Sequence, residues 1–399
     1  MEQGQPWRSK VRVPRVSAQR PLSELRSEFP ALERSTYMVS HSLGAMPRRA
    51  AAELAEFGRL WVEDGIRAWD SWIPEIAAAG KRVGRIINAP DGTMAMATNV
   101  SQIQALLASC FDYKPGKHKV VYSELEFPTV SYVWWEEQRR GAKCVVVPSP
   151  DGVNLGIERF LAAIDDETLL VPLSHVLFRS STITEVEQVV SRCKEVGAMV
   201  ILDCYQSTGT VPVDVQALGV DFACGGSVKW LCGGPGAGYL YVRPDHQDLA
   251  PRNTGWFGHE KPFAFTMPEQ HYAESAWRFQ AGTPAIAALY QARAGAEMVA
   301  DLSVARIRAN SLRMTQRIVW ACDQAGYTLN TPREPERRGG TICFDFAGAD
   351  KVTVELNRRG YFCDHRPGCG IRVSPHFYTT DEEVGRFLEQ VATLKKELV

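Results

Sequence analysis

Four short apolar runs limit the folds open to this sequence: "KVVYSE" at 119–124, "AKCVVVPSP" at 142–150, "TLLVPLSHV" at 168–176 and "GAMVILDCY" at 197–205. Each has the length of a strand, and helical patterns separate them. In "TEVEQVVSRCKEVG", Val186, Val189, Val190, Cys193 and Val196 share one helical face, and the pattern stops at Gly197. Strand, helix, strand is the unit that joins parallel neighbours. Strands this apolar are covered on both faces. The pattern therefore predicts an α/β fold with a mostly parallel sheet between about residues 50 and 282. Beyond Gly282-Thr283-Pro284 the character changes. A long helical pattern at 285–325 is followed by "TICFDF", a helix near 350–359, "GIRVSPHFY" and a closing helix near 380–398. The expected division is an arm at 1–30, a large domain at 31–284 whose first part can join the small domain, and a small α+β domain at 285–399.

Composition narrows the partners. The protein has 399 residues, 45% hydrophobic and 23% charged, enough for two cored domains. A net charge of −1 gives no basic excess for nucleic acid or an anionic membrane. No apolar run is long enough to cross a bilayer. The first residues carry Arg8, Lys10, Arg12, Arg15 and Arg20 without the apolar core of a secretory signal, and read as a loosely docked arm. The ten cysteines form no CxxC pair and no zinc spacing with histidine. They read as free thiols in a reducing, cytoplasmic setting, with no metal site.

The chemistry concentrates late in the sheet region. Ligands of open α/β sheets bind beyond the carboxyl ends of the strands. Asp203 ends the run "MVIL", and Lys229 follows within "GGSVKWLCGGPGAGYLYV", between two glycine-rich segments. An acid and a lysine at neighbouring strand ends can hold pyridoxal phosphate: the lysine condenses with the aldehyde and the acid pairs with the pyridine nitrogen. The glycines Gly225, Gly226, Gly233 and Gly234 are expected to let the backbone bend around ring and phosphate. "GGPGAG" precedes the strand-like "YLYV" rather than a helix, which is the wrong context for a dinucleotide loop.

The segment from Ile201 to Val242 resembles the cofactor core of the class V aminotransferase superfamily of pyridoxal-phosphate enzymes, and the whole sequence is most similar to kynureninases. The likeness extends to "SHSLGAMP" at 40–47, "GIRAWDSW" at 65–72, "MATNVSQIQALL" at 96–107, "EFPT" at 126–129, "GWFGH" at 255–259 and "DHRPGCGIRVSPHFY" at 364–378. It implies the type I fold of pyridoxal-phosphate-dependent transferases. It also implies roles. Lys229 bonds the cofactor, Asp203 faces the pyridine nitrogen, and Gln206 meets the ring oxygen or phosphate. Phe127 stacks on the ring. Thr98, Asn99 and Ser227 hold the phosphate, with Trp256 and Thr283 reaching it across a homodimer interface. Arg372 grips the α-carboxylate of an amino-acid substrate, and His41, Ser42 and Trp69 line its pocket.

The resemblance implies hydrolysis of a carbon–carbon bond in the side chain of the substrate. A class V aminotransferase, a lyase acting by C–S cleavage or other β-elimination, and a silent binding scaffold are the alternatives. Three positions depart from the kynureninase pattern: Val228 where tyrosine is common, Val130 where aspartate follows Phe-Pro-Thr, and His41 where asparagine stands.

Overall fold

A computed structural model of the protein describes residues 21–399; the four arginines and one lysine of the basic arm, at 8 to 20, lie outside the described residues. The expected sheet is present, with seven strands in the order Met94–Ala97, Gly238–Val242, Phe222–Gly226, Met199–Asp203, Thr168–Ser174, Lys119–Ser123 and Lys143–Val147. From Phe222–Gly226 to Lys143–Val147 every pair is parallel. Gly238–Val242 runs against both neighbours.

Strand alternation explains how the sheet is covered. Val121, Val171, Val200, Leu202 and Ala223 enter one apolar cluster, while Val120, Leu170, Ile201, Phe222 and Cys224 enter another. Neighbours along a strand face opposite sides. Runs apolar at every position are therefore buried twice. The first cluster takes Leu60, Ile76, Val83, Val189 and Leu289 from helices Arg48–Asp64, Trp69–Ile87, Val186–Val196 and Ile286–Leu302. The second takes Ile103, Leu107, Val130 and Trp134 from helices Val100–Ala108 and Pro128–Glu136.

The helical pattern expected to run unbroken through 285–325 is two helices, Ile286–Leu302 and Val304–Ala325, parted at Ser303 with φ 68°. A non-glycine residue rarely adopts that conformation, and no glycine or proline marks the break. The two helices serve mainly different cores, with Ile307 at the start of the second still in the large-sheet cluster. Leu289 and Val299 join the large-sheet cluster; Met314 and Ile318 join that of the smaller sheet. Arg293 ties the first helix to Glu75 at 2.7 Å, and Arg82 meets Glu75 at 2.6 Å.

The smaller sheet is antiparallel, in the order Asp364–Arg366, Gly370–Val373, Ile342–Asp345 and Thr328–Leu329. Segments near the two ends of the described residues meet beside it. Leu25 and Phe29 are fully buried, and the Arg26 guanidinium forks onto Glu383 at 2.6 and 2.8 Å. Glu383 also accepts from the Thr380 backbone at 2.9 Å, completing a capping box on helix Asp381–Leu398. Residues 21–29, expected to end a loose arm, are thus seated. Among the described residues, no helix is long and apolar enough to cross a membrane.

Candidate active site

The parallel strands all end on one side, and the segments beyond them build a cavity of about 240 Å³. Phe127 comes from beyond Lys119–Ser123, Ser174 ends its strand, Asp203 ends the next, and Lys229 follows Phe222–Gly226. Four widely separated sequence positions meet because parallel strands place their carboxyl ends together.

Lys229 points its amine between two rings. Its Nζ lies 5.7 Å from the Phe127 centroid and 4.4 Å from that of Tyr205. Burial is the main influence on this amine and lowers its pKa to about 8, against the opposing pull of Asp203. The amine is therefore charged below that pH and becomes a free base above it, far earlier than an ordinary lysine. Asp203 is 6% exposed and accepts a 2.8 Å bond from the Tyr205 backbone. Burial raises its pKa, while that bond and the charge of Lys229 work the other way. Glu126, unassigned in the sequence, lies buried beside it, with its carboxylate bonded by the Ser174 backbone at 3.0 Å. Burial pushes Glu126 up to about 8, and the Asp203 charge adds to this. A buried acid in need of a cationic partner thus stands beside one that stays protonated at neutral pH.

The glycines around Lys229 act differently from the expectation. A Cβ on Gly225 would stand 2.4 Å from the Tyr239 hydroxyl oxygen, and one on Gly226 2.7 Å from that of Tyr205. These two residues leave room for tyrosine rings rather than for backbone contact with a ligand. Gly234 does turn the backbone, with φ 69°.

One wall of the cavity is the start of helix Val100–Ala108. Asn99 caps it, accepting from the Gln102 backbone at 2.9 Å. Asn99 and Ser101 line the cavity, so the free backbone N–H groups of that first turn suit a phosphate. Thr98 lies just outside the lining and bonds Asn99 and Gln102.

No small-domain residue lines the cavity, and Arg372 approaches it from outside, through the carbonyl of the lining residue Phe178. Arg372 is 4% exposed, with Nε and Nη2 on Asp364 at 2.8 and 2.6 Å and Nη1 on the Phe178 carbonyl at 2.8 Å. A guanidinium has five N–H donors; five less these three leaves two, one on each terminal nitrogen. That is a fork for one carboxylate. His41 bonds Asp364 through Nε2 at 3.0 Å and Ser374 through Nδ1 at 2.7 Å. Burial depresses His41 to about 4, so it is neutral at neutral pH. Burial alone would raise Asp364, but the bonds from His41 and Arg372 outweigh it and hold the carboxyl well below its usual range. Gln206 lines the cavity, with its amide spanning the His41 carbonyl at 3.1 Å and the Trp230 indole at 3.2 Å.

Other expected residues stand elsewhere. The Ser227 hydroxyl donates to the Gly234 carbonyl at 2.7 Å and does not line the cavity. Ser42 and the ring of His41 are outside the lining as well. Trp69 and Thr283 line a separate open cleft with Trp61 and Trp72. Trp256 stacks on Phe265 at 5.9 Å and meets Phe263 edge-on at 5.3 Å. Sequence reasoning left Tyr205, Phe178, Glu126 and Asp364 without roles. Asp364 was within reach: it precedes Arg372 by eight residues, and a tight antiparallel pair sets the two opposite each other.

The residues present fit pyridoxal phosphate. Phe127 leaves 44% of its surface open, the buried Asp203 carboxyl suits a protonated ring nitrogen, and a helix N-terminus faces the same space.

Comparison with known proteins agrees. The family model "Aminotransferase class-V" matches residues 71–387. An uncharacterised aminotransferase of Bacillus subtilis is 30% identical over 370 residues, covering 92% of this protein and 97% of that one. A kynureninase of Pseudomonas fluorescens is 30% identical over 387 residues, covering 92% and 91%. Among solved structures, an apo cysteine desulfurase from Thermococcus onnurineus superposes with a TM-score of 0.86 at 23% identity, over 96% of this protein and 100% of that one. A cystine C–S lyase with its product cysteine persulfide gives 0.82 at 20% identity, over 91% and 99%.

Proposed function

The protein belongs to the class V aminotransferase family and binds pyridoxal phosphate, and from that premise we propose that it hydrolyses a carbon–carbon bond in the side chain of an amino acid, in the manner of a kynureninase. When bound, the cofactor supplies an electron-accepting ring that stabilises negative charge at the substrate's α-carbon. Asp203 would keep the pyridine nitrogen of the bound cofactor protonated, since a nearby carboxylate favours the cation. Lys229 Nζ, a free base above pH about 8, takes and returns protons at the reacting carbons. Arg372 offers its two remaining donors to the α-carboxylate, with Asp364 and His41 fixing its plane.

The observation that carries this reading is the cavity wall. Beside the cofactor seat, Val176 and Phe178 give the cavity an apolar wall, which suits an aromatic side chain. None of the ten cysteines lines it among the described residues, so a persulfide-forming thiol, as a desulfurase reaction would need, has no candidate there. The test is turnover of kynurenine with no keto acid added. Repeated release of alanine and an aromatic acid is expected. Stalling after one equivalent, with recovery on adding pyruvate, would replace this reading with transamination.

Arg372→Ala should leave the cofactor spectrum intact and weaken substrate binding by about 30-fold or more, the lower end of what loss of one partner in a buried charge pair costs. Unchanged KM would remove Arg372 from the site.

The active form proposed is a homodimer. A continuous run of ring contacts links Trp61, Trp72, Trp69, Phe263, Trp256 and Phe265 across one face. Trp61 is 62% and Phe265 67% exposed on it, more apolar surface than a lone soluble protein usually leaves open. Sedimentation at working concentration should give twice the mass of one subunit; a monomer with full activity would refute this.

A further inference from the structure

Tyr205 follows Asp203 by two residues, and nothing in the proposed chemistry uses it. Its surroundings are nonetheless built around its ring. The ring lies over Gly226, where a Cβ would come within 2.7 Å of its Oη and 2.8 Å of its Cζ. Its backbone N–H is spent on the Asp203 carboxylate at 2.8 Å, which ties the ring's position to that of the acid. It lines the cavity, as Phe127 does, and the two centroids lie 4.4 and 5.7 Å from the same Lys229 amine. Phe127 meets Phe178 at 5.2 Å and 82°, and 44% of its surface stays open.

We propose that Tyr205 is a second stacking residue, so that the pyridine ring of the cofactor is held in a slot between Phe127 and Tyr205. This rests on the cofactor being seated at Lys229 and goes beyond it by naming what closes the slot. A single aromatic partner leaves one ring face against aliphatic groups or water. Two partners fix the tilt of a flat ligand as well as its depth, and so fix the direction in which Asp203 and Lys229 meet it. Gly226 is then required as the floor beneath Tyr205, since any side chain there would push the ring into the slot.

Cofactor uptake by apoprotein tests this without reference to turnover. Pyridoxal phosphate is added to apoprotein and its dissociation constant is read from the visible band and from quenching of tryptophan fluorescence. Tyr205→Phe, which keeps the ring, should bind within about twofold of wild type. Tyr205→Leu should bind about three- to tenfold more weakly, the range of one aromatic stack. Gly226→Ala should weaken binding in the same direction. The thermal midpoint of each apoprotein shows that the fold is kept. If the leucine variant does not fold, Tyr205→His, with a smaller flat face, takes its place and should fall between wild type and the loss expected for leucine. Equal or tighter binding by the leucine or histidine variant overturns the proposal. If wild-type apoprotein takes up no cofactor, the seat at Lys229 fails and the slot fails with it.

Discussion

Lys229→Ala is expected to lose turnover by roughly 10⁴-fold or more, since the variant lacks both the covalent anchor and the proton carrier. The reason is electrostatic as much as covalent. Burial lowers this amine to about 8, so a useful share is unprotonated near neutral pH. Among the described residues no other lysine lines the cavity, and none there can take its place. The fold should survive, because an amine that burial disfavours costs the apoprotein stability while it is charged. That cost is full below about pH 8 and fades as pH rises towards the ordinary lysine value. Removing the amine relieves it, so the apo variant should melt no lower than wild type at neutral pH. Activity within tenfold of wild type would reject Lys229 as the reactive group.

Asp203→Asn should show effects of opposite sign on stability and rate. Asparagine can still accept the 2.8 Å bond from the Tyr205 backbone, so the local turn is kept. Burial raises the Asp203 pKa, so the ionised carboxylate destabilises the folded apoprotein at pH values above that raised pKa. The amide removes this cost, and the apo variant should be as stable as wild type or more so at neutral pH. Turnover should nevertheless fall on the order of 100- to 1,000-fold, as it does when a preorganised electrostatic partner of the transition state is lost. Measured kcat together with an apo melting curve checks both halves. Near-normal kcat would rule out Asp203 as the partner of the ring nitrogen.

The parts legible in the sequence are those fixed by local periodicity and by the order of the elements. Doubly buried strands declare themselves as unbroken apolar runs, and Asp203 and Lys229 stand at strand ends that a parallel sheet must bring together. What stayed hidden depends on contacts between distant segments. Glu126 looks like a surface acid until the strand ending at Ser174 is laid beside it. Tyr205 reads as a core tyrosine unless Gly226 is known to lie beneath it. Asp364 gains meaning only when the hairpin sets it against Arg372. The break at Ser303 escapes notice because the residues on either side keep a helical pattern, and the two helices differ only in which core they mainly serve. The glycine-rich flanks of Lys229 were visible, yet the part that Gly225 and Gly226 play in making room for Tyr239 and Tyr205 was not.

One measurement bears most directly on where the chemistry resides. The holoenzyme is treated with borohydride, digested, and its peptides are mapped by mass spectrometry. The cofactor mass should appear on the peptide that contains Lys229, and the Lys229→Ala protein treated in parallel should carry none. Cofactor fixed to any other lysine, or the same labelling in the alanine variant, would contradict the site described above.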